Sequence, residues 1–275
     1  MIKDLIINLS TDKSDDATVI YAISLAREFD AHLAAVAFAY EAVSAAMVVD
    51  GAPPGWFDEL QKEGEDAAKA AVAKFNEATR GSGISAEARW LTASFAGTAD
   101  LFGRIARRFD LSILRQSEPD QGTPAPLIIE AALFDAGRPV LIVPYVQKTG
   151  IKLDRILVCW DGSRSAARAV GDAMPFLERA KAVEVVVVGD RIKSNEIPGA
   201  DIAHHLARHG AAVELKEIVA TDIDAANVLL SHAADSSADF MVMGGYGHSR
   251  LREFVLGGVT RNILATMTIP TLMSH

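Results

Sequence analysis

Met243-Gly-Gly-Tyr-Gly-His-Ser-Arg-Leu-Arg-Glu-Phe-Val-Leu-Gly-Gly-Val-Thr260 lies between a short apolar run at 240–243 and an amphipathic run at 259–266. The first reads as a strand and the second as a helix. Gly244 and Gly247 then sit where the strand ends, and Gly257 and Gly258 where the helix begins. Glycine lets backbone approach a ligand closely, and the unpaired N–H groups at a helix N-terminus favour an anion. Read locally, the segment is a phosphate cradle of the kind that takes a nucleotide. The first half of the chain has no such segment.

Outward from this segment, strands and helices alternate. Second-half strands are expected at 156–159, 183–188, 213–218, 240–243 and 271–273, with helices at 165–179, 200–209, 225–234 and 259–266. The first half follows the same order. Its first strand opens at Leu5, and further strands fall at 33–38, 86–91, 111–114 and 140–143. Its helices fall at 15–29, 56–79, 98–108 and 126–136, with an insert before the second that Gly51-Ala-Pro-Pro-Gly55 breaks. Leu5-Ile-Ile-Asn-Leu-Ser10 and Ile156-Leu-Val-Cys-Trp-Asp161 open the two halves alike, so Ser10 stands opposite Asp161, an offset of 151 residues (161 minus 10). That is a domain-sized period. Alternation implies parallel sheets covered on both faces, and the unbroken apolar run 185–188 suits a buried central strand. The polar stretch Tyr145-Val-Gln-Lys-Thr-Gly150 places a boundary near Gly150. Ligands bind such sheets beyond the carboxyl ends of the strands, near the point where strand order reverses. In the second half that singles out Asp161, Val188, Gly189, Ala220, Thr221, Asp222, Gly244 and Gly247.

The chain of 275 residues is half hydrophobic and carries a formal net charge of -9. An acidic chain without a basic run is a poor binder of nucleic acid or anionic membrane. No stretch has the length of a membrane span, and the N-terminus lacks a signal-like apolar region, so a cytoplasmic location is expected. The single cysteine, Cys159, excludes an intrachain disulfide and reads as a small core residue.

The pattern Gly244-x2-Gly247-x9-Gly257, with Asp161 at the end of a first strand, this order of elements and a closing Ile269-Pro270-Thr271 strand, resembles the universal stress protein family. The resemblance covers nearly the whole chain as two domains in tandem. It implies an α/β fold of two open five-stranded parallel-sheet domains, Rossmann-like, spanning 1–149 and 150–275. It further implies that 140–143 and 271–273 pair antiparallel within the chain, giving a pseudo-two-fold dimer and leaving a further homodimer open. It implies ATP, with or without Mg2+, in the second domain alone. Asp161 and the backbone around Val188 would meet the adenine, and Gly244 and Gly247 would flank ribose and phosphates, with Met243 counted among the contacts. Gly257, Gly258, Val259 and Thr260 would hold the phosphates. The chain departs from the family at Gly258, where Ser or Thr is usual. The loss of one hydroxyl contact weakens binding by roughly 0.5–1.5 kcal/mol, unless Thr260 supplies another. In the first half, Pro126 and Leu127 stand opposite Gly257 and Gly258, and Glu118 and Asp120 put negative charge where phosphate would sit. That half is expected to bind no nucleotide.

Other features have plainer readings beside the sharp ones. His205 and His209 at i, i+4 have a spacing that suits zinc, but no third ligand is evident, and a solvated helix face is the better account. Asp12, Asp15 and Asp16 fit the first turn of a helix capped by Ser14. Ser163 and Ser165 read as caps, Asp161-Gly162 equally as a turn, and Arg250 and Arg252 as solvated loop residues or phosphate contacts. No Gly-x4-Gly-Lys-Ser/Thr loop and no Gly-x-Ser-x-Gly elbow occurs. Three functions stay open: a nucleotide-responsive binding protein; an ATP-using enzyme, for which Asp222 is the one candidate acid; and a scaffold that binds no nucleotide.

Overall fold

The computed structural model describes residues 1–11, 17–41, 55–117, 124–189, 199–219, 224–245 and 258–275. In the first half β1 (Asp4–Leu9), α1 (Ala17–Phe29), β2 (His32–Tyr40), α2 (Trp56–Thr79), β3 (Ala86–Ala93), α3 (Gly97–Ala106), β4 (Leu111–Arg115), α4 (Ala125–Phe134) and β5 (Val140–Val143) follow one another. The second half repeats the order with β6 (Arg155–Cys159), α5 (Arg164–Leu177), β7 (Ala182–Gly189), α6 (Ala200–Arg208), β8 (Val213–Val219), α7 (Ala225–Asp235), β9 (Phe240–Gly244), α8 (Gly258–Thr266) and β10 (Thr271–Ser274). None of the described helices is long and apolar enough to cross a membrane.

The ten described strands join one sheet in the order β3-β2-β1-β4-β5-β10-β9-β6-β7-β8. Each half contributes five parallel strands, and the halves meet where β5 runs antiparallel to β10, with Leu141 opposite Leu272. Every residue of both strands is buried. Apolar edge strands pair because an open edge leaves backbone N–H and C=O groups unsatisfied. The outer edges are managed differently. β3 exposes Glu87, Arg89 and Thr92, while β8 exposes Glu214, Lys216 and Glu217, and charge discourages further pairing.

The halves repeat each other down to single hydrogen bonds. Asp110 Oδ2 accepts from the backbone N–H of Lys3 at 2.8 Å and of Asp4 at 3.0 Å. Asp239 accepts from the N–H of Asp154 at 3.0 Å and of Arg155 at 3.4 Å. Each aspartate, set just before the fourth strand of its half, thus pins the start of the first.

The two hydrophobic cores follow the faces of the sheet, not the halves of the chain. One lies under α1, α2, α5 and α6, with Phe75, Phe176 and Leu206 at its centre. The other lies under α3, α4, α7 and α8, with Phe102, Leu133 and Ile263. Phe29 of α1 meets Phe176 of α5 edge-on at 4.9 Å, so the helices of the two halves also pack on each other. The expected apolar run in β7 needs one correction. Val185 and Val186 are buried, but Val187 and Val188 emerge as half-buried, and Glu184 is buried within the strand. Its Oε1 lies 3.1 Å from His232 Nε2, and its Oε2 lies 3.6 Å from Arg155. A buried carboxylate is tolerated when so partnered.

Candidate functional site

From β6 the chain moves outward to β7 and β8, then returns to β9 on the other side of β6. Strand order therefore reverses between β6 and β9, and the crevice expected of such sheets falls beyond the carboxyl ends of these strands. Cys159, the last residue of β6, lies in register with Met243 of β9 and Val186 of β7. The Trp160 N–H donates to Val186 O at 2.9 Å, which carries the pairing one residue further.

Asp161 follows at the mouth of this crevice with its side chain exposed. One carboxylate oxygen accepts from the Ser163 N–H at 2.9 Å, and Gly162 turns the chain at φ 73°. The turn reading of Asp161-Gly162 thus holds. Ser163 is the N-cap of α5, its hydroxyl accepting from the Ala166 N–H at 3.1 Å. Ser165 is not a cap: it lies inside the first turn, buried, with its hydroxyl 3.0 Å from that of Ser163. Cys159 sits beneath, where burial, aided by the negative charge of Asp161, pushes its thiol up to about 12. A thiol so neutral is a poor nucleophile, in keeping with a packing role.

Gly244 ends β9 against the start of α5. A Cβ there would lie 2.6 Å from the Ala166 nitrogen and 2.7 Å from the Ser165 hydroxyl. The close approach that demands glycine at this position is therefore to a helix of the protein itself. Met243, beside it, is buried with its side chain in the core. Val188 is half-buried near the end of β7, opposite Ile218. At Gly258, where α8 begins, a Cβ would meet none of the described residues within 4 Å. Val259 is half-buried and Thr260 is buried. The N-terminus of this nine-residue helix, where no described residue crowds Gly258, suits an anionic ligand.

Two links set the position of α8. Asp224 caps α7, one oxygen accepting from the Ala226 N–H at 3.2 Å, and its other oxygen accepts from the Asn262 side chain. The buried Gln116 of the first half donates from Nε2 to Leu264 O at 3.0 Å. An Asp before an apolar helix is a visible cap signal; its partner 38 residues away is not. Gly247, Gly257, Ala220, Thr221, Asp222, Arg250 and Arg252 lie outside the described residues, as do Asp12, Ser14, Asp15, Asp16, Glu118 and Asp120. His205 and His209 lie with ring centroids 4.7 Å apart at the exposed end of α6. Among the described residues no group of three or more metal-ligating side chains occurs.

The same end of the first half is built otherwise. α4 begins Ala125-Pro126 after Pro124. Pro126 lacks an N–H, so this helix start offers one anion donor fewer than α8.

A model of the universal stress protein family matches residues 152–275. The second half of the chain belongs to that family. A universal stress protein of Synechocystis is 27% identical over 157 residues, a stretch covering 52% of this chain and 49% of that one. The chain thus spans about half the length of this curated relative. A crystal structure of a universal stress protein from Archaeoglobus fulgidus superposes with a TM-score of 0.69 at 14% identity, over 98% of this chain and 95% of that one. A protein from Pseudomonas aeruginosa described as functionally unknown superposes at 0.61 and 16% identity, over 99% and 92%. At such identities these likenesses show the fold. They carry the same fold through both halves of the chain.

Proposed function

We propose that the second half binds an adenine nucleotide, ATP by preference, in the crevice between β6 and β9, and that the protein works as a nucleotide-responsive binding protein. The observation that carries this reading is the start of α8 at Gly258, which no described residue crowds, in a universal stress protein domain whose strand order reverses at β6 and β9. Asp161 and the backbone near Val188 are assigned to the adenine. The backbone from Gly244 to Gly247 is assigned to ribose and phosphate, and Gly257, Gly258, Val259 and Thr260 to the phosphates. Met243 takes part only through its backbone, since its side chain is in the core. ATP arriving here would meet the N–H groups at the start of α8, and its differential affinity for two loop states would change a partner surface. Mg2+, where it accompanies ATP, is assigned to the nucleotide's own phosphates.

Calorimetric titration of ATP with magnesium into nucleotide-stripped protein tests the reading. One site per chain is expected. Saturable binding with steady release of ADP would move the protein to the enzymes. No binding at any usable concentration would leave a scaffold.

A further inference from the structure

The two ends of the glycine-rich segment are anchored by Gly245, just after β9, and by α8. Both anchors touch the first half of the chain. The Gly245 N–H donates to Ser274 O at 2.8 Å, and His275 Nδ1 lies 3.1 Å from Gly245 O. The His275 ring stands edge-on to Phe134 of α4 at 4.8 Å. A Cβ on Gly245 would lie 2.7 Å from Leu133 Cδ2 and 3.2 Å from its Cδ1. Leu133, also on α4, is 3% exposed, so it can make room only by changing rotamer within a packed core. At the other anchor, Gln116 is 2% exposed and donates to Leu264 O in α8, while its Oε1 accepts from the Tyr145 N–H at 3.3 Å.

We propose that the first half is a positioning element for the nucleotide site of the second: α4, through Leu133, sets the start of the glycine-rich segment, and Gln116 sets the helix into which it runs. Leu133 and Gln116 are positioning residues, acting through Gly245 and α8. This gives the first half a task that its own lack of a phosphate-binding glycine pair does not remove. The proposal rests on the nucleotide reading above.

A size exchange across the contact tests it. Gly245 does not have a left-handed φ, so alanine meets only the steric obstacle there. ATP affinity and melting temperature are measured in wild type, Gly245→Ala, Leu133→Ala and the double variant. Gly245→Ala is expected to bind ATP about tenfold more weakly, because Leu133 and the added methyl cannot share the space. The double variant is expected to recover affinity to within about twofold of Leu133→Ala, while its melting temperature stays low because the core has lost a buried leucine. Affinity that recovers while stability does not is a result that a merely structural contact does not produce. Wild-type affinity in a folded Gly245→Ala overturns the proposal, as does a double variant that binds no better than Gly245→Ala. Where Gly245→Ala does not fold, Gln116→Met carries the test: weakened binding at unchanged stoichiometry supports the proposal and wild-type affinity overturns it. Absence of binding by the wild-type chain is a separate result, and it removes the nucleotide reading itself along with this proposal.

Discussion

Glycine serves two opposite purposes around the crevice. At Gly244 the missing Cβ makes room for the first turn of α5, and the neighbours are backbone and a buried hydroxyl. At Gly258 no described residue fills the space beside the Cα. The departure from the usual Ser or Thr at this position therefore costs the protein a hydroxyl without gaining it a contact. Gly258→Ser is accordingly expected to fold normally and to bind ATP more tightly, by roughly two- to tenfold, the worth of one net hydrogen bond. Calorimetric titration beside wild type checks this, and unchanged affinity would mean that phosphate does not sit at the start of α8.

At the scale of elements, the crevice depends on how helices begin. α5 starts with a side-chain cap from Ser163 and α7 with one from Asp224, whereas α4 starts among prolines. Ser163→Ala removes the bond to the Ala166 N–H and should destabilise the fold by about 1 kcal/mol, read as a lower urea midpoint at unchanged slope. The bond from the Ser163 N–H to Asp161 uses backbone and survives the change, so nucleotide affinity should hold. A parallel loss of affinity would instead make α5 part of the ligand's own surface.

The whole molecule is one sheet with two cores that cross from half to half, and the seam is the β5–β10 pair. Chains 1–149 and 150–275 made separately would each present an apolar edge whose every residue is buried in the intact protein. Mixed in equal amounts, they are expected to co-elute as a one-to-one complex in size-exclusion chromatography, because pairing removes both open edges. Persistent separation of folded fragments would show that the seam contributes little. The seam also brings α4 of one half against Gly245 of the other, which is how the first half reaches the site.

While the antiparallel seam was implied by the family resemblance alone, the sequence by itself determined the alternation of strands and helices, the domain-sized repeat and the placing of Asp161, Val188, Gly244 and Gly258 at strand and helix ends. Those features are periodic or local, so hydrophobic spacing and glycine positions carry them. Trp56–Thr79 and Val140–Val143 fell on their expected bounds for this reason. Only the tertiary structure decided which surface fills the space beside each glycine, that Met243 belongs to the core, that Ser165 is not a cap, and that Glu184 is buried against His232. It also joined Asp224 to Asn262 and Gln116 to Leu264. These contacts link residues tens to more than a hundred positions apart, 38 in one case and 148 in another. They exist because the sheet order sets non-consecutive strands side by side, and no local pattern encodes which side chains then meet.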